Sequence, residues 1–211
     1  MPALLGCVLV LSSGCSAGDG KQAARPAPAA SGSRLLEQQD LPDGYVISPP
    51  EPAPEVSAAS KVSVEGCGAL LDLFGDGATG TPEDLTVRFE AGGAGPFIAE
   101  ELSSDAAALG NLRELAGRCG SFTDTDADGT ITTVSVAPVA DFPVLGDEGA
   151  AFTMLAGGGT GDDTFSLGGY LIAVRLGATT CTLMHFAQPE VDRAETETIA
   201  RTAVHKLQRQ Q

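Results

Sequence analysis

An α+β domain, a twisted antiparallel sheet with helices packed against one face, is the fold class this sequence predicts. Three observations carry it. A long strand places Tyr170, Ile172, Val174 and Leu176 on one face and Leu171, Ala173 and Arg175 on the other. Gly177-Ala178 then has Gly first, as a type II′ hairpin turn requires, and Thr180, Thr182, Met184 and Phe186 return opposite Cys181, Leu183 and His185. Both strands are apolar on both faces, which places them at the centre of a sheet. The second observation is that helical stripes alternate with strand patterns upstream of this hairpin. The third is a closing helix whose stripe is Thr196, Ile199, Ala200, Ala203, Val204 and Leu207.

Taken in order, the domain opens with a short helix at residues 34–39, stopped by Leu41-Pro42-Asp43-Gly44. Residues 45–47 read as extended, and the Pro-rich 49–54 as a loop or polyproline segment. Ser63 is placed to cap a helix with Cys67, Leu70, Leu71 and Phe74 at helical spacing, ended by Gly75. Leu85, Val87 and Phe89 alternate with polar residues, a half-buried strand, and residues 97–102 form the next. Ser104 or Asp105 caps a second helix with the stripe Ala108, Leu109, Leu112, Leu115, Ala116 and Cys119, and Gly120 lies just past its end.

Strands follow at residues 121–123, 130–136 and 149–155, and an acidic, Gly-rich loop at 157–163 leads into the central hairpin. The last helix is expected to start at Pro189, a residue suited to the first helical position. Glu190, Asp192, Glu195 and Glu197 crowd its first half, while Arg201, Lys206 and Arg209 lie in or after its second, matching the helix dipole.

The core must be aliphatic: there is no Trp, with eight Phe and two Tyr in 211 residues. A net charge of −16 excludes nucleic acid and an anionic membrane surface as direct partners, because neither tolerates such a field. Residues 4–11 are an apolar run too short for a bilayer span, which takes about 20 residues. They have the form of a signal-peptide core. Ser12-Ser13-Gly14-Cys15 after it resembles the lipobox of bacterial lipoproteins, in which the chain is cut before a diacylated Cys. Ser12 stands where that motif usually has Leu, with Leu11 beside it. The expected parts are a signal peptide at 1–14, a lipidated Cys15 with a disordered tether at 15–33, and a domain at 34–208.

Three thiols then remain in the domain. Cys67 and Cys119 each sit on the inward stripe of a helix and are expected to meet in a disulfide where the helices pack, while Cys181, within a strand, reads as a small buried hydrophobe.

Among the candidate sites, Asp124-Thr125-Asp126-Ala127-Asp128-Gly129 with Ile131 resembles the first positions of an EF-hand calcium loop. Ser135 occupies the twelfth position, where a bidentate Glu is needed, and the flanks read as strands. An acidic β-hairpin is the expected structure. Asp147-Glu148 and Asp162-Asp163 are further acidic pairs without a defined partner, His185 reads as a satisfied core histidine, and His205 as a complement to a helix C-terminus. No motif for a catalytic nucleophile, zinc helix or phosphate loop is present in the sequence.

A set of spaced landmarks resembles the extracellular sensor domain of PknH-type actinobacterial receptor kinases, a family also carried on lipoproteins. The landmarks are Leu35-Leu36, Asp40-Leu41-Pro42-Asp43-Gly44-Tyr45, Cys67-Gly68-Ala69-Leu70-Leu71, and Leu112-Arg113-Glu114-Leu115 leading to Cys119-Gly120-Ser121-Phe122. They continue with Asp128-Gly129-Thr130, Gly146-Asp147-Glu148, Val174-Arg175-Leu176-Gly177 and Ala203-Val204-His205-Lys206-Leu207. The resemblance implies an antiparallel sheet with flanking helices, a cleft and a role in binding something outside the cell. Three domain cysteines stand here where that family carries two disulfides.

The expectation is a ligand-binding or sensor-like domain without catalytic activity, lipid-anchored through Cys15 on the outer face of an actinobacterial cell membrane. Its disulfide is Cys67–Cys119, its partner a small molecule or envelope component, its membrane contact only the anchor, its state monomeric, and no cofactor, metal or nucleic acid is expected. A cleft lined from the sheet and the Gly-rich acidic loops would hold the ligand. The alternative is a calcium-stabilised structural or interaction lipoprotein of the envelope with Asp124, Asp126 and Asp128 as ligands. A third reading, a hydrolase acting on envelope material, requires His185 to face a cleft beside Ser or Asp.

Overall fold

A computed structural model describes residues 34–48, 61–73, 85–93, 95–160 and 163–210. The expected signal and tether segments, Cys15, the Pro-rich 49–54, Phe74 and Gly75 lie outside them. In chain order the elements are β1 (Val46–Ile47), β2 (Lys61–Val62), α1 (Gly68–Asp72), β3 (Thr86–Glu90), β4 (Phe97–Ser103) and α2 (Ala108–Arg118). They continue with β5 (Ser121–Thr125), β6 (Ile131–Pro138), β7 (Glu148–Thr160), β8 (Asp163–Leu176), β9 (Thr179–Ala187) and α3 (Arg193–Gln208).

The described strands form one open sheet, antiparallel throughout, in the order β1-β3-β4-β9-β8-β7-β6-β5-β2. The predicted hairpin β8–β9 occupies its centre, with Val174 opposite Cys181 and Gly177 at φ +58° in the turn. Two-residue strands close both edges and offer little unpaired backbone to another chain.

The α+β class and the antiparallel sheet are as expected, but the helices cover both faces. On one side α3 buries Ile199, Ala203, Val204 and Leu207 against Ile98, Leu102, Ile172, Val174 and Leu183. On the other, α1 and α2 bury Leu70, Leu109, Leu112 and Ala116 against Phe122, Val134, Met154, Leu171, Met184 and Phe186. The reason lies in the central strands: a strand apolar on both faces exposes one of them unless each is covered. Cys67 and Cys119, with a Cα–Cα distance of 5.6 Å, are disulfide-bonded on the α1–α2 side, and Cys181 is a buried free thiol.

Local corrections have local causes. The opening helix is only a 3₁₀ turn at Gln38–Asp40, in which Asp40 and Glu37 serve each other's backbone as a capping box. Ser63 does not cap α1; its hydroxyl accepts from Thr123 N–H instead, tying β2 to β5. α3 starts at Arg193, four residues beyond Pro189, because Asp192 is the better cap: its backbone is extended and its carboxylate accepts from Glu195 N–H at 2.8 Å. In the Gly-rich stretch at 157–163, residues 157–160 belong to β7 and residue 163 to β8, with Gly158 opposite Phe165 and Gly159 opposite Thr164. A Cβ at Gly158 would come within 2.5 Å of the Ile131 carbonyl, so glycine lets β6 and β7 approach.

Candidate functional site

The face covered by α3 carries the polar chemistry. Residues 34–47 cross it as a strap, α3 lies along it, and the β6–β7 connection at 139–147 arches over it. Tyr45, Glu100, Cys181 and His185 all point to this side, the last three from β4 and β9.

His185 is fully buried and lies between two hydroxyls. Tyr45 Oη is 2.9 Å from its Nε2 and Thr196 Oγ1 2.8 Å from its Nδ1. The Tyr45 hydroxyl has one proton, which it donates to Glu195 Oε1 at 2.9 Å. His185 Nε2 must then carry the proton that bonds Tyr45, and Nδ1 accepts from Thr196, a tautomer assigned from this network. Thr196 Oγ1 also lies 2.8 Å from the Asp192 carbonyl, so its hydroxyl has two acceptors to choose between. Burial holds His185 down to about 4 and pushes Tyr45 upward, with Glu195 beside it adding to the rise.

Glu100 is the second fully buried polar group on this face. Burial raises its carboxyl above the ordinary value, opposed by the Leu36 N–H that donates to Oε2 at 2.6 Å, the Cys181 thiol that donates to Oε1 at 3.4 Å, and the charge of Lys206. Cys181 is itself pushed well up by burial and by Glu100. A thiol held protonated in the core is no nucleophile. Lys206, also buried, reaches Asp40 Oδ2 at 2.5 Å and Glu37 Oε2 at 3.2 Å, which binds the strap to α3. These are structural roles: each polar group in the core ties a segment down.

Open space lies beside this network. An apolar cavity of about 230 Å³ sits under the 139–147 arch, with Phe142, Ala151, Ile172 and Val174 among its walls. A larger cleft of about 460 Å³ opens between the arch and the C-terminal half of α3, edged by Asp40, Arg201, His205 and Arg209. Val144 and Leu145 line both. The arch is fixed at each end. Arg193 donates to Asp141 Oδ1 and to the Asp141 carbonyl at one end. At the other, Asp147 N–H bonds the Arg175 carbonyl, Asp147 Oδ2 accepts from Gly177 N–H, and Glu148 bridges Arg113 and Arg175.

The sequence candidates therefore scatter. Asp147 and Glu148 secure the arch, and the two Arg hold Glu148 below the usual carboxylate range. His205 borders the cleft, whereas His185 lines neither cavity. Neither of these two cavities is lined by the described residues of the Gly-rich acidic segment. Asp124–Asp128 is the anticipated hairpin: Gly129 sits at φ +88° and Asp128 Oδ1 accepts from Thr130 N–H at 2.8 Å. Among the described residues no three His, Cys, Asp or Glu gather as a metal would require. Glu100 is not among the sequence candidates, and Arg201, His205, Lys206 and Arg209 are read there only as complements to the helix dipole. Their signals were present: a Glu among Ile98 and Leu102 on an apolar strand face, and three basic residues four apart on one helix.

The architecture is that of an open-sheet α+β domain with a helix layer on either side. A solved structure it resembles is the extracellular domain of PknH from Mycobacterium tuberculosis, with a TM-score of 0.52 and 12% sequence identity, covering 83% of this chain and 93% of that one. At that identity the likeness is one of fold. No protein-family profile and no curated protein matches the sequence.

Proposed function

We propose that this chain is an extracytoplasmic ligand-binding or sensor-like domain, lipid-anchored through Cys15, that carries out no covalent chemistry. The fold-level likeness to an extracellular domain is the observation that carries the reading. Three features support it. The Cys67–Cys119 bridge suits an oxidising compartment. The cavity pair under the arch offers a place for a ligand. Buried His185 and Cys181 are hydrogen-bonded into the core, away from that space. No helix among the described residues is long and apolar enough to cross a membrane.

Native mass spectrometry of the chain purified from an envelope fraction tests the binding half. A non-covalent adduct lost on denaturation is the expected result, and a bare polypeptide across several preparations would count against a ligand. Labelling with a fatty-acid analogue tests the anchor half: label should be lost in Cys15→Ser, and its persistence would refute the assignment.

A further inference from the structure

Three basic side chains share one edge of the larger cleft. Arg201, His205 and Arg209 lie four residues apart along α3 and so project from one side of the helix. In a chain of net charge −16, two Arg with a His between them along one edge are a local concentration of basic residues. Arg201 is half-committed to Glu197, at 3.3 Å, while the Arg209 guanidinium forms no ion pair with an acidic side chain among the described residues. Among the described residues Asp40 is the one carboxylate edging the cleft, and it shares the Lys206 ammonium with Glu37. The carbonyl end of α3 is itself negative, and a helix-terminal Arg would answer that alone. One Arg suffices for the dipole; three basic residues along two turns exceed it.

The neighbouring space has the opposite character. Its walls are aliphatic and aromatic side chains with backbone, and the shared wall presents Val144 at 91% exposure, an apolar side chain standing in water at the junction. A volume of about 230 Å³ is small for a complete ligand, since such pockets usually run to roughly 300–1,000 Å³. It suits the end of an aliphatic chain whose head rests in the cleft. Gly146 makes the junction possible: at φ +66° it brings the arch so close to β8 that a Cβ would lie 2.6 Å from the Arg175 carbonyl.

We propose that the two cavities form one site for a single-chain anionic amphiphile. Its carboxylate or phosphate head rests against Arg201, His205 and Arg209, its chain passes over Val144, and its apolar end lies under the 139–147 arch. The inference rests on the ligand-binding reading above and gives that reading a chemical class.

The test is calorimetric titration of the full chain, carrying Cys15→Ser so that no anchor lipid is present. The probes are decanoate and decyl phosphate, with butyrate, inorganic phosphate, decyl maltoside and decyltrimethylammonium as controls. One-to-one binding of the two anionic amphiphiles, at least tenfold tighter than any control and weakened by salt, is expected. Whichever anion binds better assigns the head, a free acid or a phosphate ester. R201Q/R209Q should weaken binding at least tenfold. So should Val144→Asp, which sits on the surface and leaves the core untouched; an unchanged melting temperature confirms folding of both.

Binding that survives both variants lies elsewhere, for instance on the apolar run at residues 4–11, and overturns the proposal. So does equal affinity for the cationic amphiphile, or no binding of either anion at millimolar concentration. A neutral or hydrophilic adduct in the native mass spectrum, with no amphiphile binding, would overturn this inference and leave the ligand-binding reading standing.

Discussion

Tyr45 and His185, 140 residues apart in sequence, meet at 2.9 Å and join the N-terminal strap to the central hairpin. The bond is one link in a chain from Glu195 through Tyr45 and His185 to Thr196, whose one hydroxyl proton is shared between His185 Nδ1 and the Asp192 carbonyl as alternative acceptors. Both ends of that chain belong to the first turn of α3, so the strap, the sheet and the helix are fixed by a single set of hydrogen bonds.

Tyr45→Phe keeps the ring and removes the hydroxyl. The buried His185 Nε2–H then has no acceptor, which costs about 1–3 kcal/mol. Urea denaturation should show a lowered midpoint with an unchanged m-value. An unaltered midpoint would mean that water replaces the hydroxyl.

Acid should destabilise the fold through His185. Its folded value, about 4, lies below the unfolded one, about 6.5. Between them the unfolded chain binds the extra proton, so stability is fully present above pH 6.5 and lost as pH falls toward 4. The shift corresponds to about 3 kcal/mol. Glu100 has the opposite sign: its raised value gives stability that is present below the unfolded value and lost as pH rises through the folded one. Unfolding free energies from pH 4 to 8 should show a flattened acid limb in His185→Gln. Glu100→Gln should gain stability at pH 8 relative to pH 5.

Reduction should cost more than any single side chain. The Cys67–Cys119 bridge closes a separation of 52 residues, worth about 4 kcal/mol on the chain-entropy account. Denaturation with and without a strong reductant checks this. Native alkylation should leave Cys181 unmodified, because it is buried and its thiol is held protonated.

Gly146→Ala should be costly although it adds one methyl group. The residue has φ +66°, and the new Cβ would meet the Arg175 carbonyl and a Val174 methyl, each at 2.6 Å. Roughly 1–3 kcal/mol of strain is expected, seen as a lower melting temperature. A compensating lift of the arch would appear as faster hydrogen exchange at residues 142–148.

The parts of the fold read correctly from sequence are those with strong periodicity. The stripe Thr196, Ile199, Ala200, Ala203, Val204 and Leu207 is buried throughout, and β8–β9 lies at the centre as its two apolar faces required. The same two apolar faces also require cover on both sides, which α3 supplies on one and α1 and α2 on the other. Where periodicity is weak the competing local chemistry decided: Asp192 out-capped Pro189, and glycines at 157–159 allowed close pairing of strands where composition read as a loop. The cavity edge was harder to see because no periodicity ties the arch to α3. Val144 and Arg209 are brought together only by the tertiary arrangement of β7, β8 and the helix.

The strap also decides where a force would enter the molecule. Arg34 bonds Thr179 on β9, Leu36 bonds Glu100 on β4, and Glu37 and Asp40 hold Lys206 on α3. Tension applied at residue 34 would be shared at once among two interior strands and a helix, in shear, so that several bonds must fail together. Tension at residue 210 would instead peel α3 from its end, one turn at a time, beginning beside Arg209 and the cleft. A pull on residue 34 is therefore expected to load several segments together, whereas a pull on residue 210 meets first the Lys206 pairs with Glu37 and Asp40.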